Sequence, residues 1–280
     1  MNFLEEFFIL LNDFTDKRSM KLRNLNKSYL TASFYTLIFS TTVYCGLQFL
    51  SLNSYLKRVF ILLGGDIANG GIIQSFIFFS FMWAYLEIRK DRKEIKNEFK
   101  YLCLELLPTR DKHVLLPLDI PHIESKLAKL AKSQSRDKGS ILVRLLSTAL
   151  LKFKSTQSMS ETIDVISIQS EISRELHESE HSNIRYLLWL IPSIGFIGTV
   201  IGISQALSIA AQGDMEAITS MLGVAFDTTL VSLVLSAIVT GLFHRLQEET
   251  DKLHAHIKEY VISNFVNRLE IKKDDLKSAG

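Results

Sequence analysis

The sequence has little of what soluble domains of its size are usually built with. It holds 2 cysteines and 4 prolines in 280 residues. Two cysteines make no disulfide framework. Cys45 lies in an apolar run and Cys103 in a polar one, so both are expected to be free thiols. The net charge of +2 is too small to argue for nucleic acid as a partner. No convincing strand pattern and no internal repeat is visible. Zinc-finger spacing, a glycine-rich phosphate loop behind a strand and a G-x-S-x-G elbow are all missing. These absences remove the commonest catalytic and nucleotide-binding classes, so neither enzyme activity nor a cofactor is expected. The opening MNFLEEFFILLNDF is acidic where a secretory signal is basic, and its apolar run is short.

What the chain does have is apolar length. Hydrophobic residues make up 47% of it and its mean hydropathy is above zero, which suits a membrane protein with a sizeable polar part. Leu187 to Ala211 reads LLWLIPSIGFIGTVIGISQALSIAA, with no charge between Arg185 and Asp214. At about 1.5 Å per helical residue it exceeds the roughly 30 Å of a bilayer core. Pro192, Ser193, Gly195, Gly198, Thr199, Gly202 and Ser204 interrupt it. Gly198 and Gly202 form a G-x-x-x-G, which lets another helix approach closely, and bulky replacements there are expected to block oligomerisation.

A second such stretch, Met221 to Phe243, is broken only by Asp227. Thr229, Ser232, Ser236 and Thr240 form a polar stripe at helical spacing. The connection AQGDMEAIT is short, so the two stretches are expected to form an antiparallel hairpin with its midpoint near Asp214. Thr199 and Thr229 are equidistant from that point and should lie at one depth. Their hydroxyls could bond their own backbones or face something polar, and the spans alone do not decide between these.

The first half has two further candidate spans, Tyr29 to Leu52 and Ile67 to Leu86, the second with Trp83 and Tyr85 as interfacial anchors. An amphipathic segment, Asn2 to Phe14, precedes them, and Ser54 to Ile67 connects them. Basic residues cluster before the first span and again from Arg89 to Lys100. The positive-inside rule then puts both termini in the cytoplasm. The cytoplasmic insert is expected to hold helices at about His122 to Ser133 and Ile141 to Phe153. A capping box at Ser158 and Glu161 should start a long helix that runs unbroken into the third span. His177 and His181 are spaced as zinc ligands could be, with a solvated or interhelical face as the favoured reading. The fold class is therefore an all-α membrane protein with four transmembrane helices in two hairpins and a helical cytoplasmic insert. Its parts are 1–28, an amphipathic segment; 29–88, the first hairpin; 89–186, the insert; 187–244, the second hairpin; and 245–280, a cytoplasmic helix and tail.

Pro192 to Gly202, P-S-I-G-F-I-G-T-V-I-G, resembles the P-x-L-G-L-L-G-T-V-x-G signature of the MotA/TolQ/ExbB proton-channel family. Gly223 to Leu233, G-V-A-F-D-T-T-L-V-S-L, is similar to that family's following helix, and EISRELHESEHSNIR to its approach helix. The likeness covers roughly Ile163 to Glu249. It implies a subunit of an ion-driven motor in the bacterial inner membrane. A homopentamer would enclose two copies of a single-span partner resembling MotB, TolR or ExbD, which carries the titrating aspartate. The ion would be a proton, with sodium as the alternative. Thr199, Thr229 and Asp227 are the candidate ion-path residues, and Pro192, Gly195, Gly198 and Gly202 the helix-packing ones. Asp227 departs from the family pattern, where an apolar or small residue is usual. Two helical steps place it about 200° from Thr229. It is expected in a buried interhelical contact level with Ile201 and Gly202. The competing reading of the whole chain is a non-conducting membrane scaffold or receptor.

Overall fold

The structure is a computed structural model that describes residues 29–48, 53–66, 71–104, 106–107, 119–133 and 139–269. The amphipathic segment 1–28 and the tail from 270 lie outside the described residues. The described chain is helical, in the order α1 (Tyr29–Gln48), α2 (Ser54–Leu62), α3 (Ile72–Leu102), α4 (Ile120–Ser133), α5 (Ile141–Thr156), α6 (Met159–Glu180), α7 (Ser182–Ala210) and α8 (Met215–Asn264). A short 3-10 turn, Val266–Arg268, follows. No strand occurs among the described residues. The chain divides into two compact units, one of Met1–Lys90 with Ser182–Arg245 and one of Asp91–His181 with Leu246–Gly280.

Among the described residues, three helical stretches are long and apolar enough to cross a membrane: Tyr29–Gln48, Met159–Ala210 and Met215–Arg268. The described residues are thus all-helical, with three helices of membrane-spanning length and apolarity. α3 is not among the three, although four spans were expected. It starts at Ile72, meets Glu87 and Arg89 within its next turns, and the first residues of the expected apolar run (67–70) lie outside the described set.

In the first unit, α7 buries Ile184, Leu187, Ile191, Gly195, Gly198, Gly202 and Ala206. Their spacing of three and four residues puts them on one helix face, and from the middle onward that face carries almost no side chain. The turn to α8 is tight. Gly213 takes φ +74°, a left-handed conformation that glycine adopts without strain, and Asp214 Oδ1 accepts from the Ala217 N–H at 3.0 Å, capping α8. Pro192 sits inside α7, where it removes one backbone donor.

The connector between α1 and α3 is not merely a loop, because it forms α2. Leu62 O accepts from Gln74 Nε2 at 2.9 Å, Phe60 O accepts from Gly65 N at 2.9 Å, and Gly64 closes the helix at φ +94°. α1 packs on α3 through Phe39 against Phe78 and through a Ser40–Ser75 hydroxyl contact of 3.1 Å. Tyr29 stands edge-on to both Phe79 and Trp83. Trp83 is therefore packed beside α1, and its Nε1 is buried with no hydrogen-bond partner among the described residues.

In the second unit, α5 buries Leu142, Leu145, Leu146, Ala149 and Phe153, the face expected of it. Each fully buried large apolar side chain on this face contributes about 1.5–3 kcal/mol. α4 and α6 pack on α5. Ser158 Oγ accepts from Glu161 N at 3.4 Å and caps α6. α6 and α7 together form the helical stretch Met159–Ala210, in which His181 is the single residue between them and its N–H still bonds to His177 O. The half-buried Glu98 caps α5 from a distant part of the sequence. Its Oε2 accepts from Ser140 Oγ at 2.9 Å and from Ile141 N at 3.1 Å. Burial raises its pKa, opposed by these two hydrogen bonds and by Arg144.

Candidate functional site

The site follows from how closely α7 and α8 approach. A Cβ placed on Gly202 would stand 2.6 Å from Ala225 Cβ and 3.1 Å from Ala225 Cα. One placed on Gly198 would stand 2.6 Å from Thr228 Oγ1, and one on Gly195 2.5 Å from Ser232 Cβ. No real side chain tolerates such distances. The glycines thus face α8 of their own chain. Within the hairpin this face is therefore already filled.

Backbones this close bring polar groups on the edge of the seam together. Thr199 and Thr229 are half-buried, and their hydroxyls hydrogen-bond each other. Thr229 Oγ1 also donates to Gly195 O at 3.0 Å, a carbonyl four residues before Thr199. Thr199 Oγ1 lies 3.2 Å from Ala225 O and 3.3 Å from Gly195 O. The Thr199 hydroxyl therefore has partners across the seam and along its own helix, while both partners of the Thr229 hydroxyl lie across the seam. Two hydroxyls have two protons, and the Gly195 and Ala225 carbonyls compete for them. Small rotations of either side chain change which oxygen accepts. Such a group can bind a donor, a cation or water, but it has no pair of titrating groups for acid–base catalysis.

Of the other stripe residues, Ser232 is buried against Gly195 and donates to Thr229 O at 2.9 Å, while Ser236 and Thr240 are half-buried. Around the seam, Phe196, Val200, Phe226, Leu230, Leu233 and Val234 are exposed. A stretch this apolar is unsuited to water and fits lipid or another subunit.

Asp227 is 5% exposed and points away from this seam. It does not meet Gly202, whose space is taken by Ala225. Its partner is Arg58 of α2, whose Nη2 donates to Oδ1 at 2.9 Å. Its other oxygen, Oδ2, is buried with no hydrogen-bond partner among the described residues. Nothing in the sequence announced Arg58, which stands 169 positions away in a segment that read as a connector.

The second unit holds the two histidines of zinc-like spacing, but they point to different neighbours. His177 Nδ1 meets His254 Nε2 at 2.9 Å, and His181 Nε2 lies 3.9 Å from Asp91 Oδ2. Among the described residues, no group of three or more His, Cys, Asp or Glu side chains is placed to hold a metal ion. Burial first, then His177, Arg174 and Arg144, lower the pKa of His254 to about 4. The unfolded chain, with a value of 6.5, therefore binds more protons than the folded one between these pH values. Stability from this group is complete at neutral pH and is lost as pH falls from about 6.5 towards 4. The expected loss is on the order of 1–2 kcal/mol after discounting for solvent. Thermal unfolding at pH 7 and pH 5 should show a drop in midpoint in the unchanged protein and a smaller one in His254→Gln. The same drop in both would rule this histidine out as the cause.

Residues 137–259 match the family model described as the MotA/TolQ/ExbB proton channel family. That match contains the α7–α8 seam, both hydroxyls and Asp227, and leaves the first hairpin outside. No curated protein matches the chain. No solved structure matches it either.

Proposed function

We propose, from the match of residues 137–259 to the model of the MotA/TolQ/ExbB proton channel family, that this chain is the ion-path subunit of a stator in the bacterial inner membrane. Five copies surround the transmembrane helices of two copies of a single-span partner, and ion flow between them is converted into mechanical work. The observation that carries this reading is the Thr199–Thr229 hydroxyl pair. It lies at the edge of a seam between two helices whose one nearby charged side chain, Asp227, points away from it, inside the matched segment. A protonated carboxyl on a partner helix needs somewhere to exchange hydrogen bonds as it passes. A hydroxyl pair with competing acceptors offers that without holding a charge of its own. The exposed apolar side chains beside the seam would be covered by neighbouring subunits, the partner helices and lipid.

In this reading α1 and α3 supply two further spans around the hairpin, both termini are cytoplasmic, and the second unit lies in the cytoplasm. The transported ion is a proton, with sodium as the alternative, because hydroxyl oxygens serve either. No cofactor and no enzymatic reaction are involved.

The test is to express the chain with a protein encoded beside it that has one transmembrane helix, an aspartate early in that helix and a periplasmic domain. The two should co-purify. Cells making both should acidify faster after an external acid pulse, reported by a pH-sensitive fluorescent protein, than cells making either alone. Co-purification without added proton entry, even after deletion of the partner's periplasmic domain, would favour the non-conducting scaffold.

A further inference from the structure

Asp227 lies on α8 one residue from Thr228, which fills the space left by Gly198, so it sits deep along the hairpin and far from the turn at Gly213. An acid at such a depth is expensive unless neutral, paired or hydrated. Arg58 comes from a different hairpin, on a helix of 9 residues that is tied to α3 at its end. At its start, Asn53 O accepts from Lys57 N at 2.9 Å. At its end, Leu62 O is held by Gln74 and Phe60 O by Gly65. The guanidinium is therefore delivered by an anchored helix. Its side chain is 57% exposed while that of Asp227 is 7% exposed, so the arginine reaches inward to the acid.

We propose that Arg58 is the fixed counter-ion of Asp227: the ion pair latches α2 to α8 and keeps Asp227 charged, so that this acid is not a proton carrier. Arg58 is then a positioning residue. It acts through Asp227 on the depth and rotation of α8, and hence on where Thr229 stands. This role in ion passage rests on the function proposed above. The pairing itself does not.

The pairing is tested on the purified full chain by thermal unfolding and by native mass spectrometry. Arg58→Gln and Asp227→Asn should each lower the unfolding midpoint. The double variant should lose clearly less than the two losses added. Arg58→Lys should stay near the unchanged protein, and the reversed pair Arg58→Asp with Asp227→Arg should recover part of what Arg58→Asp alone loses. Additive losses with no recovery on reversal would overturn the latch. The positioning role is tested by proton entry in cells that also make the partner. Arg58→Gln frees Asp227 to titrate and should give proton entry a new dependence on external pH, which adding Asp227→Asn should remove. An Asp227→Asn protein that assembles fully with its partner yet admits no protons, and that Arg58→Gln does not improve, would make Asp227 a carrier and overturn this role. If the unchanged pair admits no protons at all, the proposed function fails, and the unfolding comparison still decides whether the ion pair exists.

Discussion

Gly202→Leu should abolish the folded hairpin. Even a methyl group at this position would press against Ala225 Cβ, Ala225 Cα and Met221 O, the last at 3.2 Å. Two of these three are backbone atoms, so no rotamer change relieves the contact. Overpacking a well-filled site costs about 1–3 kcal/mol, and a leucine forced between two backbones should exceed that range. The measurement is size-exclusion chromatography in detergent with thermal unfolding, where Gly202→Leu should aggregate instead of running as a smaller species. The failure therefore comes before assembly and is not a failure of subunits to associate. Gly202→Ala is the graded version. It should lower the midpoint by several degrees, and adding Ala225→Gly, which removes the nearest atom, should restore part of the loss. An aggregated Gly202→Ala protein that Ala225→Gly does not help would mean that the contact at Ala225 is not what limits the seam.

Removing both hydroxyls should have the largest effect on ion passage. Thr199→Val and Thr229→Val keep the branched shape and delete the oxygen, so packing along the seam changes little. What disappears is the contact between the two oxygens and their bonds to Gly195 and Ala225 carbonyls. Both carbonyls retain their helical partners, so the expected loss of stability is small, about 1 kcal/mol per hydroxyl. Proton entry should fall by roughly tenfold or more in the double variant, which corresponds to about 1.4 kcal/mol on a barrier. Each single variant should fall less, because one hydroxyl can still offer a donor. A double variant that assembles and admits protons at the normal rate would reduce the pair to a packing contact.

The seam was legible in the sequence for a simple reason. Glycines at a spacing of three and four residues, facing alanine, threonine and serine, leave few ways to pack two helices. An antiparallel hairpin about Asp214 then sets Thr199 level with Thr229. The same spacing could not say which helix filled the glycine face, because a neighbour in the chain and a neighbour in an assembly leave the same pattern. α5 was legible from its apolar face and α6 from its cap at Ser158. Three features were not. Arg58 lies in a short charged segment whose helix depends on tertiary contacts with Gln74, and Glu98 caps a helix more than forty residues away. His177 and His181 share a helix face in one dimension, but their partners, His254 and Asp91, come from other helices. Local periodicity carries no information about such pairings.

The start of α3 bears on how the molecule meets its lipid. Its second residue, Ile73, is level with Gly198, so α7 continues for about a dozen residues, roughly 18 Å, past the point where α3 begins. Over that length the hairpin is a stalk without cover from α3, and its Ile203 and Leu207 are exposed. A bilayer matched to the stalk is too thick for α3, and one matched to α3 leaves the stalk bare. Such a hydrophobic mismatch is relieved by tilting, by local thinning of lipid or by crowding stalks together. In the proposed assembly, the last of these would make the thickness of the surrounding bilayer a force on association.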